Sequence, residues 1–226
     1  IAGFIAHIAL DIVFSHHPIH FLWPLPITCF KNSEQAADLY YVIEMFSKSL
    51  WPITQEKNSN RQVTSMRWGL IPHWSNGPTK QFSMFNARSE TAAVRPSFRK
   101  PFKNQHCLIP ADGYYEWAAE KTGKKAYRIT TEHQLTFAFA GIWDVWQTPD
   151  AQIFSFAILT TQSCPELSVI HHRMPIIIQR NYYSDWLTNS HPQECLSSNV
   201  SPTLIASQVS NRINNPRNNG PDVWLP

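Results

Sequence analysis

Short apolar runs, each bounded by turn-forming residues, recur along the chain between residues 67 and 179. Runs of this kind that are rich in β-branched and aromatic residues are typical of strands. Turn residues around Gly123 and before Asp150 separate neighbouring runs. The pattern predicts strands at RWGLIP (67–72), HCLIP (106–110), AYRITT (126–131), LTFAFAGIWDV (135–145), IFSFAILTT (153–161) and MPIIIQ (174–179).

Helical periodicity is limited to a few segments. Asn32 or Ser33 can cap a helix that ends near Ser47, because the apolar residues of this segment recur on one helical face. Those residues are Ala36, Leu39, Val42, Ile43 and Phe46. Two shorter helices are predicted at 165–171, where a proline suits the first turn, and at 181–187.

Many short strands with few helices, not in regular alternation, predict an α+β fold. We expect a single domain over residues 1–226, built on a curved, barrel-like, mostly antiparallel sheet with flanking short helices. The composition agrees, since 43% of the residues are apolar and only 15% are charged, which argues against disorder. Nine Trp suit either a compact core or a surface that stacks on a ligand.

Composition also excludes several kinds of site. The four cysteines lie far apart without a C-x-x-C pair, and neither adjacent histidine pair, His16–His17 or His171–His172, has the HExxH spacing. We therefore expect neither a metal nor another cofactor. The apolar opening IAGFIAHIALDIVF lacks basic residues and is interrupted by His7 and Asp11. It therefore predicts neither a signal peptide nor a membrane span, and a reducing, cytoplasmic setting fits best.

Positive charge is concentrated in one stretch. The formal net charge is only +3, but residues 88–103 contain five cations and a single acid, Glu90. The cations are Arg88, Arg95, Arg99, Lys100 and Lys103. Such a basic stripe suits a phosphate backbone, and it is equally compatible with an ordinary solvated face.

The sequence GYYEW (113–117) places Glu116 among aromatic residues. Aromatic neighbours exclude water from a carboxyl, which raises its pKa and prepares it for proton transfer near neutral pH. The alternative is a strand residue whose acid points to water while the aromatic residues face the core.

Three further segments are more specific than packing alone requires. They are RWGLIPHW (67–74), in which Trp68 and Trp74 flank a proline, NARSET (86–91), which is polar and opens the basic stripe, and IHHRMPIII (170–178), in which His and Arg immediately precede a predicted buried strand. Each has a purely structural interpretation. Asn86 suits a helix cap, Trp68 suits the core, and His171 suits a hydrogen bond to a carbonyl at a helix end.

Taken in order, these four segments resemble those of the SOS-response-associated peptidase (SRAP) family. VSNRINNPRNNGPD (209–222) resembles the closing segment of that family, so the resemblance covers about 51–222. It implies a DNA-damage protein that binds single-stranded DNA and covalently captures abasic sites. In the family, the amine and thiol of a cysteine that follows the initiator Met form a thiazolidine with the ring-opened sugar.

The resemblance also implies a catalytic role for three residues. Asn86 orients the amine or the sugar, and Glu116 transfers protons during condensation. His171 assists opening of the sugar ring and the reverse reaction. These roles are chemically coherent, since an α-amine titrates near pH ~8 and is a good nucleophile at neutral pH.

The DNA-binding residues implied by the resemblance are arginines, aromatic residues and one proline. Arg88 and Arg173 are expected to hold phosphates, and Trp68 to stack on a base beside the lesion. Trp74, and Pro52 within LWPITQ (50–55), complete this set. The implied partner is abasic single-stranded DNA, bound by a monomer associated with a bacterial nucleoid.

The start of the chain departs from the family pattern Met-Cys-Gly-Arg-Phe. Alignment on Gly3 places Ala2 at the position of the nucleophilic cysteine and Phe4 at that of a DNA-contacting arginine. Cys29 lies too deep in the chain to follow an initiator Met. An altered start, an unusual member of the family, and a relative that only binds DNA all remain open.

Three functions are therefore compared: an abasic-site cross-linking or lyase enzyme with possible autoproteolytic processing, a non-catalytic single-stranded DNA-binding protein, and a cysteine peptidase. The peptidase would use Cys164 and His171, which are about two helical turns apart and too far for a thiol–imidazole hydrogen bond. For the first function, the arginines, Trp68 and the three catalytic residues are predicted to converge near Ala2 on a concave basic surface.

Overall fold

The computed structural model describes residues 49–214, except 51, 56–59, 79–83, 121–122, 133–135, 189–190 and 200. The predicted helix that ends near Ser47 lies outside the described residues, as do Ala2, Cys29 and the end of the closing segment. A single domain over the whole chain stays a prediction.

Strands make up most of the described part of the chain. In chain order they are β1 (Ser49–Leu50), β2 (Ile53–Thr54), β3 (Gln62–Val63), β4 (Met66–Trp68), β5 (Asn86–Arg88), β6 (His106–Ala111), β7 (Tyr114–Glu120), β8 (Gly123–Thr131), β9 (Phe137–Gln147), β10 (Gln152–Gln162), β11 (Arg173–Pro175), β12 (Ile177–Ile178) and β13 (Leu204–Gln208). The helices are α1 (Ser89–Ala92), α2 (Arg99–Asn104), α3 (Pro165–Ser168), α4 (Tyr183–Thr188) and α5 (Pro192–Ser198), with 3₁₀ turns at Arg180–Tyr182 and Asn211–Asn214.

The long hairpin of β9 and β10 forms the centre of a ten-stranded curled sheet in the order β1-β4-β10-β9-β6-β2-β3, to which β5, β11 and β12 are added. A second sheet has the order β13-β8-β7. Most pairs are antiparallel, while β4 and β5 run parallel to β10. The predicted α+β fold with a curved, barrel-like sheet is confirmed.

The central hairpin is buried on both faces, because its residues alternate between two apolar clusters. Ala138, Ala140 and Ile142 of β9 pack with Trp186 and other residues of the helices. Phe137 and Phe139 pack instead with side chains of β7, β8 and β13. The hairpin thus separates a helical layer from the second sheet, and near-continuous apolar runs are what such strands require.

Each of the six predicted runs contains a strand, with two corrections to their extents, whereas β1, β2, β3, β5, β7 and β13 are not among the predicted strands. The run at 67–72 was expected to be one strand, but β4 ends at Trp68 because Gly69 has φ of +109°. The run at 174–179 is divided at Ile176, whose N–H donates to Leu159 of β10 while its carbonyl accepts from Ala140 of β9. The chain therefore passes from one strand of the hairpin to the other at this residue.

The helices predicted after the hairpin are present with shifted ends. α3 begins at Pro165 as expected but ends at Ser168, and its turn continues through hydrogen bonds from Ile170 and His171 to the Leu167 carbonyl. α4 begins at Tyr183, after a 3₁₀ turn, rather than at Asn181. Ends of short helices are the least determined by local sequence.

Candidate active site at the end of the central hairpin

The last residues of β10 have a neighbouring strand on each edge. Thr160 pairs with Arg88 of β5 in parallel and with Pro175 of β11 in antiparallel register. Asn86 and Arg88 are exposed and flank the fully buried Ala87, so both side chains lie on the outer face of β5. Asn86 therefore opens a strand, and the helix-cap interpretation of this residue is wrong.

Glu116 and His171 come from different layers and meet beside this end. Glu116 lies on β7 of the second sheet, and His171 follows the turn after α3. His171 Nδ1 is 3.8 Å from Glu116 Oε2, and each side chain is less than one fifth exposed. Together with Arg173 and Ser163 they line one small pocket. The structure thus brings the two predicted acid–base residues together.

The environment of Glu116 favours the protonated carboxyl. Burial raises its pKa, while the charge of His171 and the N–H of Trp117, at 3.3 Å from Oε1, oppose this effect. Tyr114 and Tyr115 on either side of the strand are both buried. Glu116 is therefore a strand residue, as the structural interpretation held, and its carboxyl is also shielded from water.

The imidazole of His171 is held by the backbone of Arg173. His171 Nδ1 lies 2.8 Å from the Arg173 carbonyl oxygen and 3.2 Å from the Arg173 N–H. These contacts make opposite demands, since a carbonyl can only accept and an N–H can only donate. The shorter contact, to a carbonyl oxygen that can only accept, favours a hydrogen on Nδ1, which leaves the lone pair of the neutral ring on Nε2.

The two terminal nitrogens of the Arg173 guanidinium are engaged within the protein, whereas its buried Nε has no hydrogen-bond partner among the described residues. Its two terminal nitrogens donate to the two carboxylate oxygens of Glu90 at 2.7 and 2.9 Å. Nη2 also donates to the carbonyl oxygen of Thr160 at 2.6 Å and to its hydroxyl at 3.2 Å. The hydrogen bond from Arg173 holds the pKa of Glu90 below its ordinary range. Arg88, by contrast, is exposed.

The predicted aromatic and proline contacts to DNA differ in how much of each side chain is exposed. Trp68 is half-buried, donates from Nε1 to the Phe85 carbonyl at 2.9 Å and packs on the Phe85 ring, so part of its surface is structural. Trp74 is 58% exposed in the loop after β4. Pro52 is buried, which is a correction to its predicted place on a DNA-binding surface, because a buried ring offers no face for stacking.

The loop that carries Trp74 is held by residues that sequence reasoning missed. Asp144 of β9 is almost fully buried and accepts from the backbone N–H and Nδ1 of His73, both at 2.9 Å. Ser155 of β10 accepts from the Ile71 N–H at 2.8 Å. The available signal was Asp144 itself, a lone acid inside an apolar strand run. A buried carboxylate needs hydrogen-bond donors, which predicts a contact with polar groups from another segment.

Glu90 and Thr160 were also missed as partners of the site. Glu90 stands within NARSET and is the single acid of the basic stripe, which was a signal for a specific ion pair. Cys164, the proposed peptidase nucleophile, has a pKa raised by burial, which disfavours the reactive thiolate.

The described part of the chain contains no group of three or more His, Cys, Asp or Glu side chains arranged to hold a metal ion. None of its helices is long and apolar enough to cross a membrane. Asn86, Arg88 and Trp68 lie on strands that pair with β10. Their predicted convergence on Ala2 stays a prediction, because Ala2 lies outside the described residues.

Fold and site together define an α+β half-barrel protein with a partly buried acid–base pair at the end of its central hairpin. Residues 28–216 match the family described as SOS response associated peptidase (SRAP). The chain belongs to this family.

Named relatives and solved structures agree with this assignment. The chain is 37% identical over 172 residues to the abasic site processing protein YoqW of Bacillus subtilis, covering 73% of this chain and 77% of the relative. It is 33% identical over 206 residues to the abasic site processing protein HMCES of Pongo abelii, covering 75% of this chain and 58% of the relative. A crystal structure of a protein from Bacteroides thetaiotaomicron superposes with a TM-score of 0.67 at 29% identity, covering 78% of this chain and 80% of that one.

Proposed function

We propose that the protein processes abasic sites in single-stranded DNA by condensing an amine with the ring-opened sugar. The observation that carries the proposal is the Glu116–His171 pair, at 3.8 Å, in a chain whose relatives are named abasic site processing proteins. We propose the cytoplasm, and the bacterial nucleoid within it, as the location at which the protein meets this DNA.

Condensation needs a proton donor and a proton acceptor at one carbon atom. The amine attacks the C1 aldehyde, and the resulting carbinolamine loses its hydroxyl as water when an acid protonates that oxygen. Glu116 suits the acid, because burial keeps its carboxyl protonated to higher pH than an ordinary glutamate. His171, with its lone pair on Nε2, suits the base that assists ring opening.

The basic stripe supports a path for the phosphate backbone. Arg88, Arg95, Arg99, Lys100 and Lys103 are all exposed. Arg88 lies beside Asn86 on the outer face of β5, so it is the arginine best placed to hold a phosphate near the lesion. The guanidinium of Arg173 would have to leave Glu90 before it could do so. Trp74, with 58% of its surface exposed, is available for stacking on a base.

The form of the covalent product depends on a thiol beside the amine. If the protein starts at Ile1-Ala2, its α-amine can form an imine but cannot close a thiazolidine. An imine hydrolyses readily, and it acidifies the C2 proton, whose removal by Glu116 or His171 leads to β-elimination and strand cleavage. The family match begins at residue 28, so Cys29 lies inside the matched region while Ala2 does not.

The test is denaturing gel analysis of the chain with single-stranded DNA that carries one abasic site, with and without borohydride. For a chain that starts at Ile1-Ala2 we expect a cross-link only when the imine is reduced, and none with undamaged DNA. Glu116→Gln should slow cross-linking by about 10²–10⁴-fold, the usual contribution of general acid–base catalysis. Glu120→Gln is the matched control, because it makes the same change on the same strand at an exposed ion pair with Lys125.

A start changed from Ile1-Ala2 to Met-Cys should give an adduct without reductant. A heat-stable adduct from the unchanged chain would contradict the assignment of Ala2, and its loss in Cys29→Ala would identify Cys29 as the source of the thiol. Binding of abasic DNA with no cross-link under any of these conditions would instead establish a non-catalytic DNA-binding protein.

A further inference from the structure

The ion pair between Glu90 and Arg173 joins three elements next to the acid–base pair. Glu90 lies on α1, Arg173 opens β11, and the Arg173 guanidinium also donates to Thr160 of β10. The side chain of Arg173 is only 18% exposed, whereas that of Glu90 is 49% exposed. The carboxylate therefore lies on the solvent side of the guanidinium and holds it in one orientation.

The same arginine contacts His171 through its backbone. The Arg173 carbonyl accepts from His171 Nδ1 at 2.8 Å, and this bond selects the ring tautomer. β11 is three residues long and Arg173 is its first residue, paired with Gln162 at the last position of β10. Because residues at strand ends are weakly held, the contacts of the Arg173 side chain help to hold the Arg173 carbonyl in place.

We propose that Glu90 is a positioning residue for the abasic-site reaction. By holding the Arg173 side chain it keeps the Arg173 carbonyl against His171 and maintains the Nδ1–H tautomer, which leaves Nε2 as the proton acceptor. The predicted effect of Glu90 on the reaction rests on the proposed function. Its predicted effect on the His171 tautomer does not, since the tautomer exists without DNA. The alternative is that Arg173 releases the Glu90 carboxylate and binds a DNA phosphate in its place.

The first measurement is made on the full chain without DNA. Long-range ¹H–¹⁵N NMR of the imidazole nitrogens at pH ~8, where an ordinary histidine is neutral, reports the tautomer of each ring. His171 is identified by the signals lost in His171→Gln. We expect the wild-type chain and Glu120→Gln to show a hydrogen on Nδ1. Glu90→Gln should show a mixture of tautomers, because its amide keeps one acceptor and turns N–H donors towards the guanidinium.

The second measurement separates binding from reaction. In Glu90→Gln, single-turnover trapping with borohydride should fall about three- to ten-fold, while affinity for undamaged single-stranded DNA stays within about two-fold. In the Arg173→Lys background, Glu90→Gln should cause no further loss, because Glu90 acts through Arg173.

An unchanged tautomer in Glu90→Gln would overturn the proposal. So would tighter DNA binding with a steeper salt dependence, since that result would show that Glu90 competes with phosphate for Arg173. If the wild-type chain forms no adduct, the proposed function fails, and the NMR comparison still decides whether Glu90 positions the imidazole.

Discussion

Replacing the buried carboxylate of Asp144 should loosen the loop that presents Trp74. Asp144 accepts from the backbone N–H of His73, from His73 Nδ1 and from the Val145 N–H, each at 2.9 Å. Asp144→Ala removes all three acceptor contacts at once. The loop keeps its bond to Ser155, so we expect local loosening together with a loss of global stability.

The magnitude follows from the donors that are left without a partner. The imidazole of His73 is 39% exposed and can bond to water, so its loss contributes little. The two backbone N–H groups are partly buried, and an unsatisfied buried donor costs about 1–3 kcal/mol. Taking the lower half of that range for each gives a loss of about 2–4 kcal/mol. Asp144→Asn keeps one acceptor oxygen and should lose about half as much.

Urea denaturation at neutral pH measures these differences, with Asp150→Ala in the exposed β9–β10 turn as the control. Fluorescence anisotropy with single-stranded DNA should show several-fold weaker binding by Asp144→Ala if Trp74 stacks on a base. A loss below about 1 kcal/mol in Asp144→Ala would refute the hydrogen-bond reasoning, as would equal losses for the Ala and Asn variants.

Three other changes probe the site, the DNA path and the core. Burial raises the pKa of Glu116 in the folded protein, so the ionised carboxyl lowers the free energy of unfolding. Glu116→Gln should therefore stabilise the protein at pH values above that raised pKa. In urea titrations this gain should vanish as the pH falls below the ordinary glutamate pKa of 4.5. Arg88→Gln should lower the slope of log affinity against log salt by about 0.7 in anisotropy titrations, whereas Lys124→Gln on the β7–β8 hairpin should match the wild-type slope within error. Gly141→Ala should lower the free energy of unfolding by about 1–3 kcal/mol, because an added Cβ overlaps side chains of β6. Thermal or urea unfolding measures this loss, and an unchanged unfolding midpoint would show that β6 moves aside freely.

The strands with long apolar runs and the fold class could be predicted from the sequence, because both follow from local apolar patterns. β9 and β10 are buried on both faces, which is why their runs are nearly continuous and easily found. Glu116 and His171 were also identified before the structure, through the segments that contain them. The high pKa of Glu116 was predictable too, since its aromatic neighbours adjoin it in the chain.

Distances between segments were decided by the tertiary structure alone. The meeting of Glu116 with His171 depends on how the second sheet packs against the turn after α3, and no local pattern encodes that packing. The register of β5 and β11 on β10 sets Glu90 against Arg173, so a predicted phosphate ligand is held in an ion pair within the protein. Pro52 is buried for the same reason, because the burial of a side chain is set by the segments that cover it and not by its own neighbours in sequence.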